Sequence, residues 1–249
     1  MLQGQAKTHM VQDHNRTMNI LRAAVAEYIR TGEPVSSDEL YRRYGFGVKP
    51  ATIRNELAAL TEKGFLAQPY TSGGRVPTDK GYMAFVEAAF GDFAREASNV
   101  LLREWDALER EFMRGDFEGL VGGIAETFSV LGVGYDARER IVHKRGLSEL
   151  FHGLLAAGVT DDPREWEMIV RDFEELDGRV SAFAKGLRAG DTPVVFVGKS
   201  PLTRSRQLSV IVDRYAVDGE EVLLAAVGPK RMDYGRCIQF FRSLKDEVV

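Results

Sequence analysis

Apolar residues recur at helical spacing through Met18, Leu21, Val25, Tyr28 and Ile29, which predicts a helix starting near Asn15. Thr31-Gly32, with Pro34 beyond, supplies its stop. Ser36-Ser37-Asp38-Glu39 has the Ser-x-x-Glu form of a capping box, so a short second helix follows, with Gly45 expected to close it. Pro50 suits the first turn of a third helix whose apolar face is Ile53, Leu57 and Leu60 and whose end is Gly64. Three helices with a tight connection before the third predict a helix-turn-helix skeleton. Beyond Gly64 the period shortens. Phe65-Leu66-Ala67 reads as a strand, Gly73-Gly74 as a turn and Arg75-Val76-Pro77 as the return, which together would form a wing.

Thr78 can cap a helix over 79–90, and a domain boundary is expected near residue 90. Helical spacing resumes through Phe93, Leu101, Leu102, Trp105, Leu108 and Phe112, predicting a linking helix over 91–115 whose apolar face invites a partner surface: a second copy or the chain's own C-terminal domain. A helix is expected over 117–130 despite Gly122-Gly123. Further helices are predicted over 147–155 and 163–187, the second after Thr160-Asp161-Asp162. Strands are predicted at 194–197, 208–215 and 222–227, with Asp218-Gly219 as a turn signal, and a closing helix at 232–244. The fold class is α+β: an N-terminal winged helix-turn-helix over 1–90, then helices packed on a small sheet over 116–249.

The formal charge of −4 over 249 residues obscures an asymmetry. Residues 1–82 carry 11 Lys/Arg against 8 Asp/Glu, and the remainder 22 against 29, so a phosphate-binding surface belongs in the N-terminal third. No apolar run approaches the roughly 20 residues of a membrane helix, and residues 1–15 have no signal-peptide core, so a cytoplasmic protein is expected. The single cysteine, Cys237, excludes an internal disulfide, and His9, His14, His143 and His152 show no metal-ligand spacing.

The segment Val48-Lys49-Pro50-Ala51-Thr52-Ile53-Arg54-Asn55-Glu56-Leu57 carries the chemistry. With Ile53, Leu57 and Leu60 inward, Thr52 and Asn55 share an outward face at i, i+3, flanked by Lys49 and Arg54. An Asn amide can pair with adenine N6/N7, a Thr methyl can touch thymine, and Arg or Lys can grip guanine or phosphate. In an isolated helix the same residues would be a solvated face; placement at the start of a third helix favours DNA contact. Arg75, on the wing, can reach phosphate or the minor groove, or be an ordinary surface arginine. Arg42 and Arg43 can hold the DNA backbone, or pair with Asp38 or Glu39.

Three blocks resemble the heat-inducible repressor family HrcA: residues 22–44 with Tyr-Ile-Arg-Thr-Gly-Glu-Pro-Val, Ala51-Thr52-Ile53-Arg54-Asn55-Glu56, and Thr71-Ser72-Gly73-Gly74-Arg75-Val76-Pro77-Thr78-Asp79-Lys80-Gly81-Tyr82. Leu208-Ser209-Val210-Ile211 and Val227-Gly228-Pro229-Lys230-Arg231-Met232-Asp233-Tyr234 resemble the closing motifs of that family's GAF-like domain. The resemblance implies a reduced GAF-like regulatory domain and a homodimeric repressor on an inverted repeat of double-stranded DNA before chaperone operons, with the chaperonin modulating its activity. Lys49 stands where the family commonly has a small polar cap. Between Leu131 and Ile141 the chain leaves little room for the family's early sensor-domain strands and inserted dimerisation segment.

No catalytic, cofactor or metal constellation is expected. Cys237 lies in a predicted amphipathic helix with no histidine nearby and reads as a buried thiol, while Gly132-Val133-Gly134 and Gly122-Gly123 lack phosphate-loop context. Trp105 and Trp166 read as core or interface anchors. Two rivals to a plain repressor remain: a regulator sensing a small ligand in its C-terminal domain, and a winged interaction module without DNA binding.

Overall fold

The computed structural model describes residues 2–70, 73–92, 99–158, 162–187, 193–217 and 220–246. The chain divides into two compact units, Met1–Ala88 and Ala89–Val249. It is a mixed helix-and-sheet protein, and no helix among the described residues is long and apolar enough to cross a membrane. Phe93 and the signals Thr71-Ser72, Thr160-Asp161 and Asp218-Gly219 lie outside the described residues, as do the side chains of Leu101 and Leu102.

The first unit holds α1 (Leu2–Thr31), α2 (Ser37–Arg43), α3 (Pro50–Glu62), a ribbon of β1 (Leu66–Ala67) and β2 (Val76–Pro77), and the start of α4 (Asp79–Asp92). The first helix begins well before Asn15: residues 2–14 contain no proline and many good helix formers, so a polar stretch continues what the apolar spacing alone starts later. The Ser36 hydroxyl accepts the Glu39 N–H at 3.2 Å, as the capping box predicts. Gly45 does not close α2. Tyr44, extended at φ −122°, caps it by donating its N–H to the Leu40 carbonyl, and the left-handed turn falls on Gly47 at φ 68°. Ile20, Leu21, Val25, Val35, Leu40, Ile53, Leu57, Leu60 and Leu66 are buried.

The ribbon block owes its composition to packing. Val35 and Arg75 exchange both backbone hydrogen bonds at 2.8 Å, adding a bridge beside the ribbon. A Cβ on Gly74 would meet the Pro34 carbonyl oxygen at 2.5 Å, and one on Gly81 the Phe65 oxygen at 2.1 Å, so both positions demand glycine. Thr78 Oγ donates to the Gly64 carbonyl at 2.7 Å and accepts the Gly81 N–H at 3.2 Å.

The second unit contains α5 (Asn99–Met113), α6 (Phe117–Phe128), β3 (Leu131–Asp136), β4 (Ile141–Arg145), α7 (Leu147–Ala156), α8 (Pro163–Ala184), β5 (Val194–Val197), β6 (Leu208–Val217), β7 (Glu220–Pro229) and α9 (Tyr234–Asp246). Its five strands run antiparallel in the order β4-β3-β7-β6-β5. Alternation splits the faces. Leu131, Val133 and Tyr135 join the core built on Leu150 and Leu154 of α7 and Ile169, Leu176 and Val180 of α8. Gly132 and Gly134 turn the other way, toward Val121 of α6.

The hairpin of β3 and β4 overturns the expectation that residues 131–141 leave little room for early strands. Its glycines disguise it in the sequence. A Cβ on Gly132 would lie 2.2 Å from the Val121 carbonyl oxygen, so glycine is what lets α6 approach the sheet. At Gly123 a Cβ would lie 2.0 Å from the end of the Leu108 side chain of α5, so a larger residue in this helix would require Leu108 to shift. For the described part of the linking helix, the chain itself covers the apolar face: Trp105, Leu108 and Phe112 are 1%, 6% and 0% exposed. Trp105 meets Phe240 edge-on at 5.7 Å and Phe112 meets Tyr215 at 5.2 Å. Trp166 is half-buried and stacks on Phe151, and Cys237 is buried, its thiol pushed up by desolvation.

Candidate nucleic-acid interface

The third helix buries one face and leaves another bare. Ile53, Leu57 and Leu60 sink into the core of the first unit, while Ala51, Arg54 and Asn55 are exposed. Lys49 stands exposed at the N-cap and makes no side-chain cap hydrogen bond, because an ammonium is a donor facing the helix's own free N–H groups. Thr52 is half-buried and less available than Asn55. Among the described residues the side chains of Lys49, Arg54 and Asn55 have no hydrogen-bond or ion-pair partner, leaving two cations and an amide to an outside ligand.

Beside this face a polar cleft is lined by Ser36, Asp38, Arg54, Gln68, Gly74 and Arg75. Arg75 is brought to the bare face, but its guanidinium is partly committed: Nε donates to Thr61 Oγ at 3.0 Å and Nη1 to the Gly73 carbonyl at 3.4 Å. It therefore braces the ribbon as well as lining the cleft. Tyr70, 73% exposed on the ribbon loop, is a contact candidate that sequence reasoning missed, because a tyrosine in a loop has no periodicity to mark its direction.

Arg43 pairs with neither Asp38 nor Glu39. Its Nε lies 3.2 Å from Glu27 Oε1, and Arg30 pairs with the same carboxylate, which also accepts the Tyr44 hydroxyl at 3.4 Å. Glu27 is only 1% exposed. The Arg30 hydrogen bond, with the nearby positive charges of Arg30 and Arg43, holds its carboxyl below the usual range against the upward push of burial. Burial is also the main cause raising the Tyr44 hydroxyl above its ordinary value. Arg42 stays exposed. Sequence reasoning also missed Glu56, which accepts from Arg16 and Thr17 on α1. Its partners are 40 and 39 residues away, beyond the reach of helical spacing rules.

Among the described residues no cluster of three or more His, Cys, Asp or Glu could hold a metal ion. In the second unit a hollow of about 200 Å³ is lined by Tyr135, Arg140, Lys185, Arg214 and Leu223, smaller than the roughly 300–1,000 Å³ typical of small-molecule sites.

Residues 91–238 match the family model described as HrcA protein C terminal domain. A heat-inducible transcription repressor HrcA of Beutenbergia cavernae is 58% identical over 72 residues, covering 29% of this chain and 20% of that protein. One from Nocardioides is 56% identical over 72 residues, covering 29% and 21%. The chain thus aligns with about a fifth of the length of these relatives. The repressor of the same name from Leifsonia xyli is 29% identical over 231 residues, covering 85% of this chain and 68% of that protein. A hypothetical protein of known crystal structure shares the fold at a TM-score of 0.66 and 17% identity, over 94% of this chain and 96% of its own.

Proposed function

The chain belongs to the HrcA family, whose C-terminal-domain model covers more than half of it, and from that premise we propose that it is a transcription repressor of heat-shock genes. In this reading residues 1–90 form a winged helix-turn-helix, α3 enters the major groove, the ribbon lies beside it, and residues 116–249 form a reduced GAF-like regulatory domain. A homodimer would place two such helices on an inverted repeat and block polymerase access, with the chaperonin modulating activity. The observation that carries the reading is the bare face of Lys49, Arg54 and Asn55 on a helix whose Ile53, Leu57 and Leu60 are buried. Lys49 and Arg54 suit phosphate, and Asn55 suits a base edge.

Selection of bound sequences from random duplex DNA by the intact chain tests this. An enriched inverted repeat, bound with an affinity that falls steeply with salt, is expected because phosphate contacts release counterions. Recovery of no enriched sequence would overturn sequence reading by α3.

A further inference from the structure

The buried Ile53, Leu57 and Leu60 decide which face of α3 turns inward, but apolar contacts carry no directional bond that sets its rotation finely. Reading a base edge is less forgiving. Side-chain tips lie about 6 Å from a helix axis, so about 10° of rotation displaces them by about 1 Å. That is more than the whole 2.7–3.2 Å window of an N–H···O bond. A helix that reads sequence through Asn55 therefore needs a rotational stop, and α3 has one. Glu56 is only 14% exposed, and both of its oxygens are engaged by two consecutive residues of α1. Oε1 accepts from Arg16 Nη2 at 2.9 Å and Nε at 3.2 Å, and Oε2 accepts from Thr17 Oγ at 2.6 Å. Charge-assisted bonds at both oxygens are directional where the apolar contacts are not. Asn55 and Arg54 are the two residues before Glu56, so any turn of the helix that moves one moves all three.

We propose that Glu56 is a positioning residue for sequence discrimination: clamped by Arg16 and Thr17, it sets the rotation of α3 at which Asn55 meets a base edge of duplex DNA. The proposal rests on the DNA-reading role of α3 proposed above. It assigns to the Ala51-Thr52-Ile53-Arg54-Asn55-Glu56 block two kinds of work, contact by Arg54 and Asn55 and alignment by Glu56.

The test uses the intact chain, the enriched duplex from the selection and a scrambled duplex of the same composition, with affinities read by fluorescence anisotropy at one salt concentration. Glu56→Gln keeps the shape and removes the charge. It should weaken binding to the enriched duplex about tenfold, comparable to losing one base-edge contact, and change the scrambled duplex less than twofold. If Glu56 acts through Asn55, Asn55→Ala should cost much less in the Glu56→Gln background than in the wild type, a coupling that general destabilisation does not produce. Thr17→Val, which removes a single donor, should show the same pattern in smaller measure and serves if Glu56→Gln does not fold. Equal losses on both duplexes, or additive effects of Glu56→Gln and Asn55→Ala, overturn the proposal while leaving DNA reading by α3 intact. A wild-type chain that does not discriminate the two duplexes overturns both together.

Discussion

Replacing Asp172 by Asn should destabilise the second unit by about 3 kcal/mol, at the lower end of the cost of removing one partner from a buried ion pair. Asp172 sits on α8, is 2% exposed, and accepts four hydrogen bonds. The Arg204 N–H reaches its two oxygens at 2.9 and 2.8 Å, the Ser205 N–H reaches Oδ2 at 2.8 Å, and Arg179 Nη1 reaches Oδ1 at 2.9 Å. These bonds hold the 200–205 turn, whose Leu202, Thr203 and Ser205 are buried. An Asn amide leaves one acceptor and points N–H groups at donors, so buried N–H groups lose their partner. Arg179 can fall back on Glu175 at 2.6 Å and the Leu202 carbonyl at 3.2 Å, which is why the lower end of the range applies. For a domain of this size the loss corresponds to roughly 6–12 °C in Tm. Trp105 and Trp166 are the only two tryptophans and both lie in the second unit, so urea unfolding followed by tryptophan emission reports on that unit alone. A midpoint shift worth less than about 1 kcal/mol at unchanged slope would refute the claim that this carboxylate holds the turn.

Asn55→Ala should remove about 1–3 kcal/mol of discrimination between enriched and random duplex without lowering Tm, since the side chain is exposed; equal losses on both duplexes would contradict a base contact. Arg75→Ala should weaken binding to all sequences alike and cost the first unit about 1 kcal/mol through its bonds to Thr61 and Gly73, visible in far-UV circular dichroism melts. Because the carboxyl of Glu27 is held below its usual range, its stabilising contribution is complete above the ordinary glutamate value of about 4.3 and disappears as pH falls through the lowered folded value. Glu27→Gln should therefore flatten the acid side of the first unit's stability profile, and an unchanged acid limb in melts from pH 7 to 3 would count against it. Gly132→Ala should cost the second unit about 1–3 kcal/mol as its Cβ meets the Val121 carbonyl, and an unmoved tryptophan transition would show that α6 can give way.

Local signals were legible wherever a residue's neighbours along the chain decide its conformation. The Ser36 cap, the proline start of α3, its end near Gly64 and the strands around 194–197 and 222–227 all follow from such signals. Strands buried on both faces read as continuous apolar runs, as in Val222-Leu223-Leu224-Ala225-Ala226-Val227. What failed depends on partners distant in sequence. The glycines of β3 look like loop residues until α6 is laid against them. Arg75 looks free until Thr61 is seen beside it, and Arg43 looks destined for Asp38 or Glu39 until α1 brings Glu27. The face of Trp105, Leu108 and Phe112 has the right residues for a dimer seam, and only the packing of α9 and β6 shows that it is already covered. Within the candidate site, residue types and the outward direction of Asn55 were readable, whereas the supports that hold them were not.

The strand order has a consequence for the order in which the chain can acquire structure. β3 pairs on one side with β4, which follows it directly, and on the other with β7, where Leu131 meets Val227 across about a hundred residues, a separation that slows folding. Until that late segment leaves the ribosome, β3 presents an open edge, while α1, α2, α3 and the β1–β2 ribbon are all encoded within the first 88 residues. The segments of the first unit can thus be complete while the sheet is still waiting for its central strand, β7.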